Sequence, residues 1–188
     1  MEVSKSDWKL FRERIGDWQE AYMERLVKEY VDLLVGEENA AKAGKYYILR
    51  TAWLYGLGGK NFVKTMLRLS KDRDEITVVD DQHGSPTSTT TLCKIIEAVM
   101  EKEPEYGVYH STNEGFTTWC KFTRKIFELG NISTNVKAIT SEEYKAMYPQ
   151  SSDRPKNSQL SKDKLKEIGI VPEPWEKALE EYLKEELK

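Results

Sequence analysis

"YYILRTAWLYGLGGKNFVKTMLRLSKDRDEITVVDD", residues 46–81, decides the fold class. Its opening, "YYILRTAWL", is rich in β-formers, "NFVKTMLRLSKD" carries apolar residues at helical spacing, and "EITVVDD" reads as a second strand. The rhythm continues outward. "TTTLCKIIEAVMEKEP" is a helix ending at Pro104, "YGVYHST" a strand, and "TTWCKFTRKIFELG" a helix closed by Gly130. "NVKAITSEEY" is a strand running into a helical turn. "LSKDKLKEIG" and "PWEKALEEYLKEELK" are helices, the second with Pro174 in its first turn. Such alternation predicts an α/β fold with a short parallel or mixed sheet flanked by helices.

The chain changes character near residue 40. Before it, Trp8, Phe11, Ile15, Trp18, Tyr22, Leu26 and Leu33 recur at three-, four- and seven-residue steps among charged residues, as an amphipathic helix requires. Ser6 or Asp7 is suited to cap its start. Gly16 interrupts it, so one bent helix and two angled helices both fit, and Gly36 is expected to end it. "EENAAKAGK" is then a short helical tail or a linker. Two units follow from this division: a helical segment over 1–44 and a domain over 45–188.

Composition narrows the function classes. With 188 residues, 39% hydrophobic and 32% charged, and a net charge of −3, the chain reads as globular, with no sequence-wide attraction for nucleic acid or an anionic membrane. No apolar run approaches the roughly 18 residues of a spanning helix, and "MEVSKSDWKLF" lacks a signal-peptide core, so a cytoplasmic location is expected. Cys93 and Cys120 form no CxxC pair and are expected to be ordinary buried or half-buried thiols.

Three motifs invite a chemical reading. "GLGG" at 56–59 follows a strand and precedes a helix, yet Asn61 stands where a third phosphate-loop glycine belongs, and Leu54 and Asn61 break the Walker pattern. It reads as a plain loop. Asp80, Asp81 and His83 of "DDQHGSPT" could suggest a metal, but a strand-to-turn run around Gly84 and Pro86 explains the same letters. "STTT" after it suits a helix cap. His110 reads as a core or edge histidine, and Trp119, Phe122, Ile126 and Phe127 as a core stripe.

"YYILRTAWLYG", "GGKNFVKTMLRLSKDRDEITVVDDQHGSPT", "YGVYHSTNEG", "TTWCKF", "DRPKNSQLSKDKL" and "PWEKALEEYL" resemble, in order and spacing, the C-terminal half of dTDP-4-dehydrorhamnose reductases, over roughly residues 45–186. These are extended short-chain dehydrogenase/reductases that use NADPH to reduce the 4-keto group of dTDP-4-dehydro-6-deoxy-L-mannose, on the way to dTDP-L-rhamnose. The resemblance implies an incomplete Rossmann-like fold carrying much of the nucleotide-sugar site.

The family's cofactor half has no counterpart here. No glycine-rich βαβ unit precedes residue 45, and no Tyr has a Lys four residues later. Aligning "GEE" at 36–38 with the family's Gly-Glu puts the catalytic positions on Glu29 and Leu33, which cannot supply a proton relay to a developing alkoxide. No catalytic, cofactor or metal residue is therefore assigned, and NADPH is not expected to bind this chain alone.

Substrate-side positions do carry over. The resemblance makes Trp53 a ring beside the sugar, although a lone Trp at a strand end is more often core. It places Asn61 near the nucleotide sugar, where a bare Asn would be a helix cap. Gln82 and Thr87 become hydrogen-bonding positions of the pocket, and Arg154 a partner for the diphosphate, with a surface ion pair as its plain alternative. Two function classes remain. One is the substrate half of a reductase, binding a dTDP-sugar as a homodimer or with a separate cofactor-domain partner, and inactive alone. The other is a non-catalytic binding or scaffold protein whose N-terminal helix replaces the Rossmann half.

Overall fold

The computed structural model describes residues 34–188, so the amphipathic stretch before them, with Gly16, Glu29 and Leu33, lies outside the described residues. Helix α1 (Leu34–Ala41) runs through Gly36, which the sequence pattern made its end. One interior glycine costs about 1 kcal/mol relative to alanine, too little to stop a helix. The chain turns instead at Gly44, whose φ of 75° suits a residue without a Cβ.

"YYILRTAWL" forms two strands rather than one. β1 (Tyr47–Arg50) and β2 (Leu54–Tyr55) are separated by a break in which Trp53 takes a φ of 52°. The break lets each half find its own partner. β1 pairs in parallel with β6 (Gly107–His110), whereas β2 pairs in parallel with β5 (Thr87–Ser88). β3 (Glu75–Val79) pairs in parallel with β8 (Asn135–Ile139), and β4 (His83–Gly84) runs antiparallel to β7 (Thr117–Thr118). The expected short mixed sheet is thus four two-stranded ladders among the described residues.

Helices cover these ladders, and their ends follow local chemistry. α2 (Phe62–Leu69) is capped by Asn61, α3 (Thr89–Lys102) by Ser88, and α4 (Trp119–Leu129) by Thr118; each side chain accepts a backbone N–H of the first turn. α3 stops at Glu103, in the left-handed region just before Pro104. α5 (Ser141–Met147) opens with a capping box between Thr140 and Glu143. α6 (Asp163–Glu167) is short, and α7 (Trp175–Glu186) begins after Pro174, which sits at the cap position one residue before the first turn.

Two apolar clusters result. In the larger, Val63 and Met66 of α2, Phe122, Ile126 and Phe127 of α4, and Leu179 and Tyr182 of α7 close over Tyr55, Ile76 and Val136. The smaller packs Ile95 and Val99 of α3 and Leu165 of α6 against Tyr109 on β6. Cys120 is buried in the first cluster and Cys93 is half-buried, and both remain thiols.

Candidate functional site

The loop "DDQHGSPT" is assembled from partners far away in sequence. Asp80 accepts a hydrogen bond from the Thr118 hydroxyl, which ties the end of β3 to the start of α4. Asp81 accepts from the Ser141 backbone N–H at 2.9 Å and hydroxyl at 2.7 Å, and these bonds hold its carboxyl below the usual range. Lys156 lies 3.6 Å from its other oxygen. His83 donates its backbone N–H to the Lys156 carbonyl at 2.8 Å and accepts from the Ser158 N–H at 2.8 Å. Residues 156–158 are thereby laid against β4. Both carboxylates already have donors, and among the described residues no group of three or more His, Cys, Asp or Glu is arranged to hold a metal.

Above this loop sits Trp53. Its ring stacks on Trp119, with centroids 3.6 Å apart and planes 13° from parallel. Trp119 in turn contacts Phe62 at 4.5 Å. Gly84 passes so close that a Cβ there would lie 2.5 Å from Trp53 Cε2 and 2.8 Å from Ser158 Oγ. The Trp53 carbonyl accepts the Thr87 N–H at 3.1 Å, anchoring the β2–β5 ladder. A bulky residue at positive φ costs on the order of 1–3 kcal/mol and persists only where its surroundings hold it. Stack, glycine clearance and backbone bond hold it here.

The other expected positions divide. Asn61 Oδ1 accepts the Lys64 N–H at 3.0 Å and Nδ2 donates to the Gly56 carbonyl at 2.7 Å, so its side chain caps α2 and closes the glycine loop. Thr87 is 0% exposed and its hydroxyl donates to the Ser85 carbonyl at 3.3 Å. Gln82 is buried, with Nε2 on Ser141 at 3.0 Å. Arg154 is exposed, two residues before the segment that lines β4, and has no ion-pair partner among the described residues. Trp53 and Thr87 are brought together through the backbone, whereas Asn61 is engaged in the cap.

Sequence reasoning missed Trp119, Gly84 and Ser158. Trp119 was assigned to the core stripe of α4, and Phe122, Ile126 and Phe127 are indeed buried. Trp119 itself stands at the first position of the helix and is only half-buried. Its place immediately after the Thr117–Thr118 strand, which pairs with β4, carried the signal.

The glycine loop does not suit a pyrophosphate. Lys64 Nζ is turned onto the Leu57 carbonyl and the Asn61 side chain occupies the N-terminal amide of α2. The groups that would cradle a pyrophosphate at this turn are thus already engaged within the loop.

The RmlD substrate binding domain family matches residues 31–188. The chain belongs to that family. Spore coat polysaccharide biosynthesis protein SpsK of Bacillus subtilis is 42% identical over 138 residues, covering 73% of this chain and 47% of that protein. The dTDP-4-dehydrorhamnose reductase of Aggregatibacter actinomycetemcomitans is 40% identical over 148 residues, 72% of this chain and 49% of that one. A crystal structure of dTDP-4-dehydrorhamnose reductase from Bacillus anthracis, in complex with NADP, is 42% identical with a TM-score of 0.67, over 75% of this chain and 48% of that one. The chain spans about half the length of the curated relatives it matches. The resemblance to the C-terminal part of these reductases is thereby borne out, as is the Rossmann-like α/β class. No helix among the described residues is long and apolar enough to cross a membrane.

Proposed function

We propose that this RmlD-family chain is the nucleotide-sugar-binding half of a dTDP-4-dehydrorhamnose reductase, holding a dTDP-sugar without reducing it alone. The observation that supports this most is Trp53, a partly exposed indole held in a strained backbone next to the loop formed by residues 80–87. The exposed part of its ring suits contact with the C–H groups of a hexose, and Arg154, exposed and without an ion-pair partner among the described residues, suits a diphosphate. Gln82 lies in the same loop. Under this reading the substrate domain spans 45–188 with a helical segment over 1–44, and NADPH belongs to a separate cofactor-domain partner or a homodimer. A cytoplasmic location accompanies it. The test sets dTDP, dTDP-L-rhamnose and NADPH side by side in thermal unfolding. Both dTDP ligands should raise Tm and NADPH should not; no shift with millimolar dTDP-L-rhamnose would overturn the proposal.

A further inference from the structure

Residues 142–155, which comprise most of α5 and the loop after it, form a lobe held chiefly by its two ends. None of them is buried, whereas α4 buries five side chains, Phe122 and Ile126 among them. Among the described residues, every hydrogen bond and ion pair of the stretch closes on residues 140–155: Glu143 on Thr140, Lys145 on the Ser151 carbonyl and on Asp153 at 3.1 Å, and Ser151 on the Tyr148 carbonyl at 2.7 Å. The Tyr144 and Tyr148 rings pair at 4.9 Å. Met147 and Tyr148 nevertheless stay 49% and 52% exposed. The ends are tied to one place. Ser141 donates its N–H and its hydroxyl to Asp81 and accepts from Gln82 Nε2 at 3.0 Å, while the Lys156 carbonyl and the Ser158 N–H bond the backbone of His83 at 2.8 Å each. Lys156 Nζ also lies 3.6 Å from Asp81. Three consecutive residues, Asp81, Gln82 and His83, thus clasp both ends of the lobe.

We infer that residues 142–155 are a lid, hinged on Asp81, Gln82 and His83 and drawn closed when Arg154 meets the diphosphate of a bound nucleotide sugar. This rests on the nucleotide-sugar reading of the site. A segment without buried apolar contacts opens at low cost in free energy, and binding lids are drawn from such segments. Because its bonds are internal, the lobe moves as a unit while the loop formed by residues 80–87 stays in place. Arg154 is the group that couples it to a ligand. It is exposed, has no ion-pair partner among the described residues, and stands two residues before the Lys156 anchor, so a phosphoryl group bonded to its guanidinium pulls on the lobe directly. Closure also offers Met147 and Tyr148 a surface to cover, which offsets part of the cost of ordering the segment.

The experiment follows amide hydrogen exchange by mass spectrometry on the full chain, free and saturated with dTDP-L-rhamnose, with binding measured separately by calorimetry. In the free chain residues 142–155 should exchange about a hundredfold faster than α4, and saturation should slow them about tenfold while leaving α4 unchanged. Arg154→Gln, saturated at its own higher ligand concentration, should lose this slowing, and Arg154→Lys, which keeps the charge, should retain part of it. Asp81→Asn removes the charge from the clasp and should speed exchange across 142–155 about tenfold in the free chain, with Tm nearly unchanged. It leaves Arg154 in place, so it decides the matter should Arg154→Gln bind too weakly to saturate: bound ligand should then slow the lobe from the faster baseline. Exchange in the free chain as slow in 142–155 as in α4, or unaltered by bound ligand in the original chain or in Asp81→Asn, overturns this inference alone. Slowing that persists in saturated Arg154→Gln does the same, because the closing group would lie elsewhere. Failure of calorimetry to detect binding of dTDP-L-rhamnose overturns the nucleotide-sugar reading and this inference with it.

Discussion

The two apolar clusters solve the same problem with different materials. The larger, under α2, α4 and α7, is closed by aromatic rings: Tyr55 meets Tyr182 edge-on at 5.1 Å, and Phe122 meets Trp175 the same way at 5.7 Å. The smaller, beneath β1 and β6, is aliphatic apart from Tyr109 and its flanking Tyr47. Just beyond the carboxyl ends of those strands come the buried hydroxyls of Thr51, Ser111 and Thr112, which have no hydrogen-bond partner among the described residues. The larger cluster leaves the hydroxyl of Tyr55 in that condition, and burial drives its pKa far above the ordinary phenol range. Carboxyl ends of parallel strands are where α/β folds place ligands. Trp53 lies at the seam, three residues past β1, with its ring resting on the column that leads into the aromatic cluster.

Truncations should expose this difference most sharply. Phe122→Ala, at the junction of the aromatic contacts, is expected to lose about 3–5 kcal/mol in urea unfolding, while Leu165→Ala in the aliphatic cluster loses about 2–4 kcal/mol. Equal losses would mean that the aromatic contacts add nothing beyond area. Gly84→Ala, which must move Trp53 or Ser158, should cost about 1–3 kcal/mol, read from the same urea curves. Substitution of the polar rim should have the opposite sign. Thr51→Val replaces an unpartnered buried hydroxyl with a methyl group and should raise stability by about 1 kcal/mol; a loss would reveal a bond that Thr51 makes in solution.

A further effect of similar size depends on pH. Lys162 is 3% exposed, with its ammonium 4.0 Å from the Phe116 ring centroid and no hydrogen-bond partner among the described residues. Burial lowers its pKa, opposed by the attraction of Glu114 and Asp163 and reinforced by Lys166. Glu114 is itself held below the usual carboxylate range by its bond with Lys166. Because the folded-state pKa of Lys162 is the lower one, the unfolded chain binds more protons between that value and about 10.4, and stability rises with pH across this window. Lys162→Met should therefore stabilise by about 1 kcal/mol at neutral pH, and its advantage in Tm should shrink as the pH approaches about 10. A constant advantage across that range would remove the charge from the explanation.

Local periodicity made the strand and helix order from Tyr46 legible, because apolar spacing and caps such as Asn61 and Ser88 act within one turn of the residue concerned. The plain reading of "GLGG" as a loop was likewise available, since the competing phosphate patterns fail on identifiable letters. Gly36 misled for the converse reason: a glycine's local penalty was overridden by the helix around it. The site was legible only in part. Trp53 and the loop from Asp80 to Thr87 could be named, but Asn61 and Thr87 turn their polar groups into the protein, and nothing local to either residue announces that.

From its letters alone this chain determines an α/β order, the glycine turn, the helix caps and a family whose model spans residues 31–188. Tertiary structure decided that "YYILRTAWL" breaks at Trp53, that the strands pair as four separate ladders, and that Trp119 stacks on the half-buried Trp53 indole. The reason is range. Helical spacing and capping are settled among residues a few positions apart, whereas β1 pairs with Gly107–His110, β2 with Thr87–Ser88, and Trp53 stacks on Trp119, all far along the chain.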